Sequence, residues 1–156
     1  AGTAPRRIIT KGVAPMAKQI YVNLPVTDLA RSKAFYVALG LTVNPKFSDD
    51  RQAVCVALSD DICLMLLQRD YFQTFTDRKI CDTQRELQVL LATNADDRAH
   101  VDSMVAAALA NGGTEAGPAR DYGFMYQRSF ADPDGHVFEV LHLDEAQFPG
   151  PDVPVG

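Results

Sequence analysis

Few side chains in this sequence could do chemistry from an apolar setting, and Glu139 is foremost among them. It interrupts the run Val137, Phe138, Val140 and Leu141, so it either points to solvent from a half-exposed strand or faces a cavity as a ligand or base. His142 lies three residues further on, and strand parity puts it on the opposite face. The other two histidines, His100 at the start of a predicted helix and His136 in a turn, do not converge on Glu139. Cys55, Cys63 and Cys81 lack metal-ligand spacing, and an odd number of cysteines argues against a secreted disulfide framework. Cys55 and Cys63 sit on apolar strands, where a thiol behaves as a small buried hydrophobe.

The element that must position Glu139 is a hairpin over Arg128–Asp144. Its turn is Asp132-Pro133-Asp134-Gly135: proline presets φ, aspartate caps the turn, and glycine accepts the positive φ that closes it. Earlier in the chain, Ile20 to Val26 alternates as a half-buried strand. Thr27 or Asp28 then caps a helix carrying Leu29, Ala30, Lys33, Phe35, Tyr36 and Leu39, which Gly40 ends. Arg31 is expected to pair with Asp28 on that helix surface. Ala53–Leu58 and Ile62–Leu67 form a second hairpin. The polar stretch Gln68–Arg85, with Tyr71, Phe72 and Phe75, reads as a short helix or lid. Glu86–Ala92 alternates again, a helix with Val101, Met104, Val105, Ala108 and Leu109 follows, and Gly112-Gly113 stops it. Gly117-Pro118 then breaks the chain before a strand over Phe124–Phe130. Tyr126 and Arg128 on that strand are placed to reach a cavity mouth or a subunit interface. The order is β-α-β-β twice, joined by a connector.

Composition narrows the partners. With 156 residues, 47% of them hydrophobic and 22% charged, the chain fits one compact α+β domain. A net charge of −5 without a basic stripe makes nucleic acid and anionic membranes poor partners and leaves a small molecule as the default ligand. No apolar run approaches the roughly 18 residues of a membrane span, and no signal-peptide core is visible, so a cytoplasmic protein is expected. Residues 1–17 read as a disordered or expression-derived tail, with Met16 a candidate natural start. Residues 18–146 read as a single domain with units at about 18–70 and 84–146, and 147–156 as a Pro/Gly-rich tail.

Two stretches carry a family resemblance. VNLPVTDLARSKAFYVALGL matches a strand followed by D-L-x-R-S-x-x-F-Y-x-x-L-G, and FADPDGHVFEVL matches F-x-D-P-D-G-x-x-x-E. The chain resembles the vicinal oxygen chelate superfamily of glyoxalase I, extradiol dioxygenases, and fosfomycin- and bleomycin-resistance proteins. It is similar in particular to a bacterial branch labelled predicted lactoylglutathione lyase. The resemblance implies two βαβββ units forming curved mixed sheets around a cavity, helices on the outer faces, and a homodimer. It also implies a divalent-metal site on cavity-facing strands, whose positions fall on Tyr21, near Met65, on Gln88 or Glu86, and on Glu139. Only Glu139 matches. Three or four imidazole, carboxylate or thiolate donors are needed for such a metal, so no metal site and no cofactor are expected.

If Glu139 faces inward, parity adds Val137 and Leu141, and the facing strands add Tyr21, Asn23, Cys55, Cys63, Met65, Gln88, Gln127 and Ser129. Tyr21, Asn23, Met65, Gln88, Gln127 and Ser129 are the candidate ligand-binding residues, and Glu139 is the candidate catalytic one. The favoured function is metal-free binding of a small molecule in this cavity, comparable to bleomycin-resistance proteins. The alternative is a glyoxalase-type lyase acting on a small thiol adduct, with Glu139 as general base or metal ligand. A dioxygenase would need a 2-His-1-carboxylate site that this wall lacks.

Overall fold

The structure is a computed structural model that describes residues 18–150. The tail expected at 1–17, with its candidate start, and residues 151–156 of the second tail lie outside the described residues. Two four-stranded mixed sheets are built from β1 (Ile20–Val26), β2 (Thr42–Val43), β3 (Ala53–Ala57) and β4 (Ile62–Gln68), then β5 (Leu91–Asn94), β6 (Thr114–Asp121), β7 (Met125–Ala131) and β8 (Val137–Leu143). Helix α1 (Leu29–Ala38) follows β1, α2 (Arg69–Gln73) follows β4, and α3 (Arg98–Ala110) follows β5. The strand orders are β1-β4-β3-β2 and β5-β8-β7-β6, with β1–β4 and β5–β8 parallel and the other pairs antiparallel. Neither sheet closes on itself, and each unit is βαβββ. Among the described residues no helix is long and apolar enough to cross a membrane.

Both long helices begin by the same device. The Asp28 carboxylate accepts the Arg31 backbone N–H at 3.0 Å, and the Asp97 carboxylate accepts that of His100 at 2.7 Å. Their buried faces meet in one core shared by both units. Leu24, Val26, Val54, Val56, Leu64 and Leu66 lie on one side of it, and Val101, Val105, Phe130, Phe138 and Val140 on the other. Four rings cross the seam: Phe35 lies 6.1 Å from Phe130, Tyr36 lies 5.9 Å from Phe138, and Phe130 stacks on Phe138 at 5.3 Å. Gly113 is pressed into the same seam. A Cβ there would come within 2.8 Å of the Ala131 carbonyl and 3.1 Å of the Phe35 ring.

The two family motifs form one polar clasp over these rings. Asp134, 3% exposed, accepts the Thr27 backbone N–H at 3.0 Å and the Thr27 hydroxyl at 2.7 Å through Oδ1, and the Ser32 hydroxyl at 3.1 Å through Oδ2. The Arg31 guanidinium reaches Asp134 Oδ1 at 3.3 Å and Thr27 at 3.0 Å. This corrects the expected surface pair with Asp28, whose carboxylate is occupied as the helix cap. Asp132, also buried, accepts the Tyr36 hydroxyl at 2.7 Å and the N–H groups of Asp134 and His136 at 3.0 and 2.8 Å. Burial, then the Asp132 charge, raises the Tyr36 phenol well above its ordinary value, so it stays a donor to the carboxylate.

Sequence and structure differ at two strands, β5 and β6. The strand expected over Glu86–Ala92 pairs only over Leu91–Asn94, and Leu87, Val89 and Leu90 are exposed in an extended stretch before it. The break read at Gly117-Pro118 is instead a bulged edge strand, β6, which a proline tolerates. Tyr126 and Arg128 do not line the cavity described below: both bond Asp102 of α3, at 2.8 and 3.0 Å, and Arg128 also reaches Glu115. In the expected second tail, Phe148 packs on Phe124 at 5.6 Å.

Candidate functional site

Where β1 meets the second unit, a cavity of about 380 Å³ lies beneath the connector. Its floor comes from Asn23, Leu24 and Pro25 of β1 and from Leu91, and one end from Gly135, His136 and Val137. The connector supplies the remainder, from Phe72 to Val89. Asn23, Thr83, Gln88 and His136 place hydrogen-bonding groups among apolar side chains, the composition of a site that orients a small organic molecule. His136 Nε2 lies 2.8 Å from the Pro25 carbonyl, and a carbonyl only accepts, so that nitrogen carries the proton.

The connector is tied down over the cavity as a strap. Arg69, at the start of α2, donates to the carbonyls of Ile80 and Cys81 at 3.3 and 3.1 Å. Thr83 donates its hydroxyl to the Asp134 carbonyl at 2.6 Å, and the Gln84 amide donates to that of Pro133 at 2.9 Å. Gly135 is the seat of this contact. Its φ of +91° suits glycine, and any Cβ there would collide with the Thr83 carbonyl. The turn that clasps the two units therefore also holds the cavity's cover.

Comparison with known proteins agrees with this geometry. A family model described as bleomycin resistance protein-like N-terminal matches residues 18–59. Hypothetical protein SA1046 from S. aureus superposes with a TM-score of 0.70 at 24% identity, over 82% of this chain and 95% of that one. A glyoxalase-related enzyme from Fulvimarina pelagi gives a TM-score of 0.68 at 22% identity, over 81% and 88%. The chain has the fold of the vicinal oxygen chelate superfamily. A third protein of similar structure, TnmS3, an antibiotic binding protein from a Streptomyces species, gives a TM-score of 0.57 at 24% identity, over 84% and 99%. No curated protein sequence matches the chain.

The metal that the vicinal oxygen chelate fold often holds does not fit these residues. Among the described residues no three His, Cys, Asp or Glu side chains come together as a ligand set. Of the four positions the family would use, Tyr21, Met65 and Gln88 offer a phenol, a thioether and an amide, and Gln88 lies in the connector rather than on a strand. Glu139 alone is a suitable donor for Zn²⁺, Ni²⁺, Mn²⁺ or Fe²⁺.

The vicinal oxygen chelate wall read from strand parity is split by the structure. Asn23 and Gln88 line the cavity. Tyr21 and Met65 belong to the first sheet, where Tyr21 donates its hydroxyl to Gln19 at 2.9 Å and meets Phe47 edge-on at 6.2 Å. Met65 pairs in register with Asn23 and Cys55. Gln127, Ser129 and Glu139 share a face of the second sheet, with Ser129 opposite Glu139, and none of the three lines the cavity. The parity argument itself holds, because Phe138 and Val140 are buried in the core while Val137, Glu139 and Leu141 are half-buried. Cys55 is fully buried, and burial, followed by the neighbouring Cys63, pushes its thiol up to about 11. It is an inert core group. Cys81, Arg78 and Lys79 reach the cavity through the anchoring of the strap and His136 through its contact with the Pro25 carbonyl, long-range contacts that residue pattern alone does not encode.

Proposed function

We propose that this protein binds a small organic molecule in the cavity beneath the strap and does so without a metal. The observation that carries this reading is the cavity's cover, pinned to the start of α2 on one side and to the Asp132–Gly135 turn on the other. A site of about 380 Å³ with an apolar body and a few fixed polar groups falls in the range used for small-ligand recognition. The antibiotic-binding neighbour supports binding rather than turnover. The lyase alternative would rest on Glu139, which shares its sheet face with Val137 but does not itself line the cavity. The exposed apolar side chains Ile20, Ile62 and Leu90, outside the cavity, support assembly as a homodimer, which light scattering would detect.

A thermal-shift screen of metabolites and antibiotics tests the binding reading. A compound at 100 times its Kd stabilises the folded state by about 2.7 kcal/mol, and Val137→Trp, which fills the cavity, abolishes that shift. If no compound gives a shift that Val137→Trp removes, the reading fails. Ni²⁺, Zn²⁺, Mn²⁺ and Fe²⁺ are expected to leave the melting temperature unchanged. Stoichiometric metal that depends on Glu139 would overturn the metal-free half.

A further inference from the structure

We infer that the molecule taken by this cavity is an organic anion: an apolar body inside, with an acid group at the rim on Arg78 and Lys79. This deepens the binding reading above and rests on it. Arg78 and Lys79 both line the cavity, and among the described residues neither lies within ion-pair distance of a carboxylate. Asp77, their neighbour in sequence, pairs with neither. Arg31, Lys33, Arg98 and Arg128 are committed to carboxylates at 2.6 to 3.3 Å, whereas Lys46, Arg51 and Arg120, like Arg78 and Lys79, make no ion pair among the described residues; what distinguishes Arg78 and Lys79 is that they line the cavity. The cavity's single carboxylate, Glu86, is already engaged by the Asp82 backbone N–H at 2.7 Å.

The positive rim extends past the strap. A second, more open depression shares Lys79, Ile80, Thr83 and Glu86 with the cavity and adds Arg31, Arg69 and Arg85. Together the two are lined by five cationic side chains against three carboxylates, Asp82, Glu86 and Asp134, in a chain of net charge −5. Such a local reversal of sign draws an anion toward one place on an otherwise repelling surface. The apolar groups Phe72, Leu87, Val89, Leu91 and Val137 then take its body, and the Asn23 and Gln88 amides orient it.

A matched pair of fluorescent probes tests this: anilinonaphthalene sulfonate, an anion, and its uncharged parent N-phenylnaphthylamine. Both are expected to bind in a way that Val137→Trp abolishes, the sulfonate about tenfold more tightly. The double variant R78Q/K79Q, at two exposed positions, should bring the ratio of sulfonate to N-phenylnaphthylamine affinity from about ten to about one. Added salt should weaken the sulfonate selectively. Equal affinity for the two probes, or a preference that survives R78Q/K79Q, overturns the anion assignment and leaves the binding reading standing. Loss of a Val137→Trp-sensitive signal for both probes overturns the two together.

Discussion

The two halves of this molecule repeat one supersecondary unit, yet their helices carry opposite chemistry at matching places. Four and eight residues after the cap, α1 has Ser32 and Tyr36 where α3 has Val101 and Val105, and all four are buried. The hairpin turns differ in the same sense. Asp132–Gly135 is held by buried hydrogen bonds to residues up to 107 positions away. In the first unit, Ser59, Asp60 and Asp61 are exposed, and the side-chain bonds there are local or from the surface residue Gln19. The buried polarity of the seam is thus concentrated at one end, the end that also holds the strap and cavity. A repeat can keep its outline while only one copy keeps its polar contacts.

Removing the clasp's centre should break this asymmetry most severely. Asp134→Ala leaves the Thr27 and Ser32 donors without their carboxylate, and urea denaturation is expected to show a loss of about 3–5 kcal/mol. Tyr36→Phe deletes one hydrogen bond to a charged acceptor and should cost about 1.5–3 kcal/mol by the same measurement. A loss below about 0.5 kcal/mol would mean that the seam is held by its rings alone.

Acid–base behaviour sharpens the contrast between buried and exposed carboxylates. Burial raises Asp132 above the ordinary carboxylate value, outweighing the opposing pull of His136 and the Tyr36 hydroxyl. The folded state therefore keeps this proton to a higher pH than the unfolded chain, so the contribution of Asp132 is complete in acid and is lost as pH rises through its folded value. Asp121 has the opposite sign. The Arg98 guanidinium holds it at about 2, so its contribution is present above about pH 4 and lost as pH falls toward 2. Urea midpoints measured across pH should show Asp132→Asn removing a decline on the neutral side and Asp121→Asn removing one on the acid side. The smallest effect is expected at the first unit's turn. Asp61→Ala should change stability by less than about 0.5 kcal/mol, and a larger loss would show that the two turns are more alike than their contacts indicate.

Legibility in the sequence followed the range of the forces involved. Gly40 and Gly112 announced helix ends, and Thr27 or Asp28 a helix start that Asp28 supplies, because caps act within a few residues. The alternation of β1 and β8 identified their core faces correctly. Alternation also overextended β5, because Leu87 and Val89 have the pattern of a strand but no partner, and pairing is decided by the other strand. Arg31 was assigned its nearest carboxylate in sequence, whereas the fold supplies Asp134. Of the wall read from parity, Asn23, Gln88 and Val137 line the cavity and the other positions do not, since the cavity's shape depends on where Arg69, Thr83 and Gln84 fasten an otherwise patternless connector.

The rings that cross the seam carry a consequence for how the chain could be divided. Phe35 and Tyr36 from one unit and Phe130 and Phe138 from the other are held together by packing and by the clasp, with no covalent bond across them. The connector between the units adds effective concentration to the bonds that fasten it as a strap. Cleavage near the exposed Phe75 is therefore expected to leave two fragments that stay together as a complementation pair, since neither alone closes the core, and gel filtration of the nicked chain would show them co-eluting.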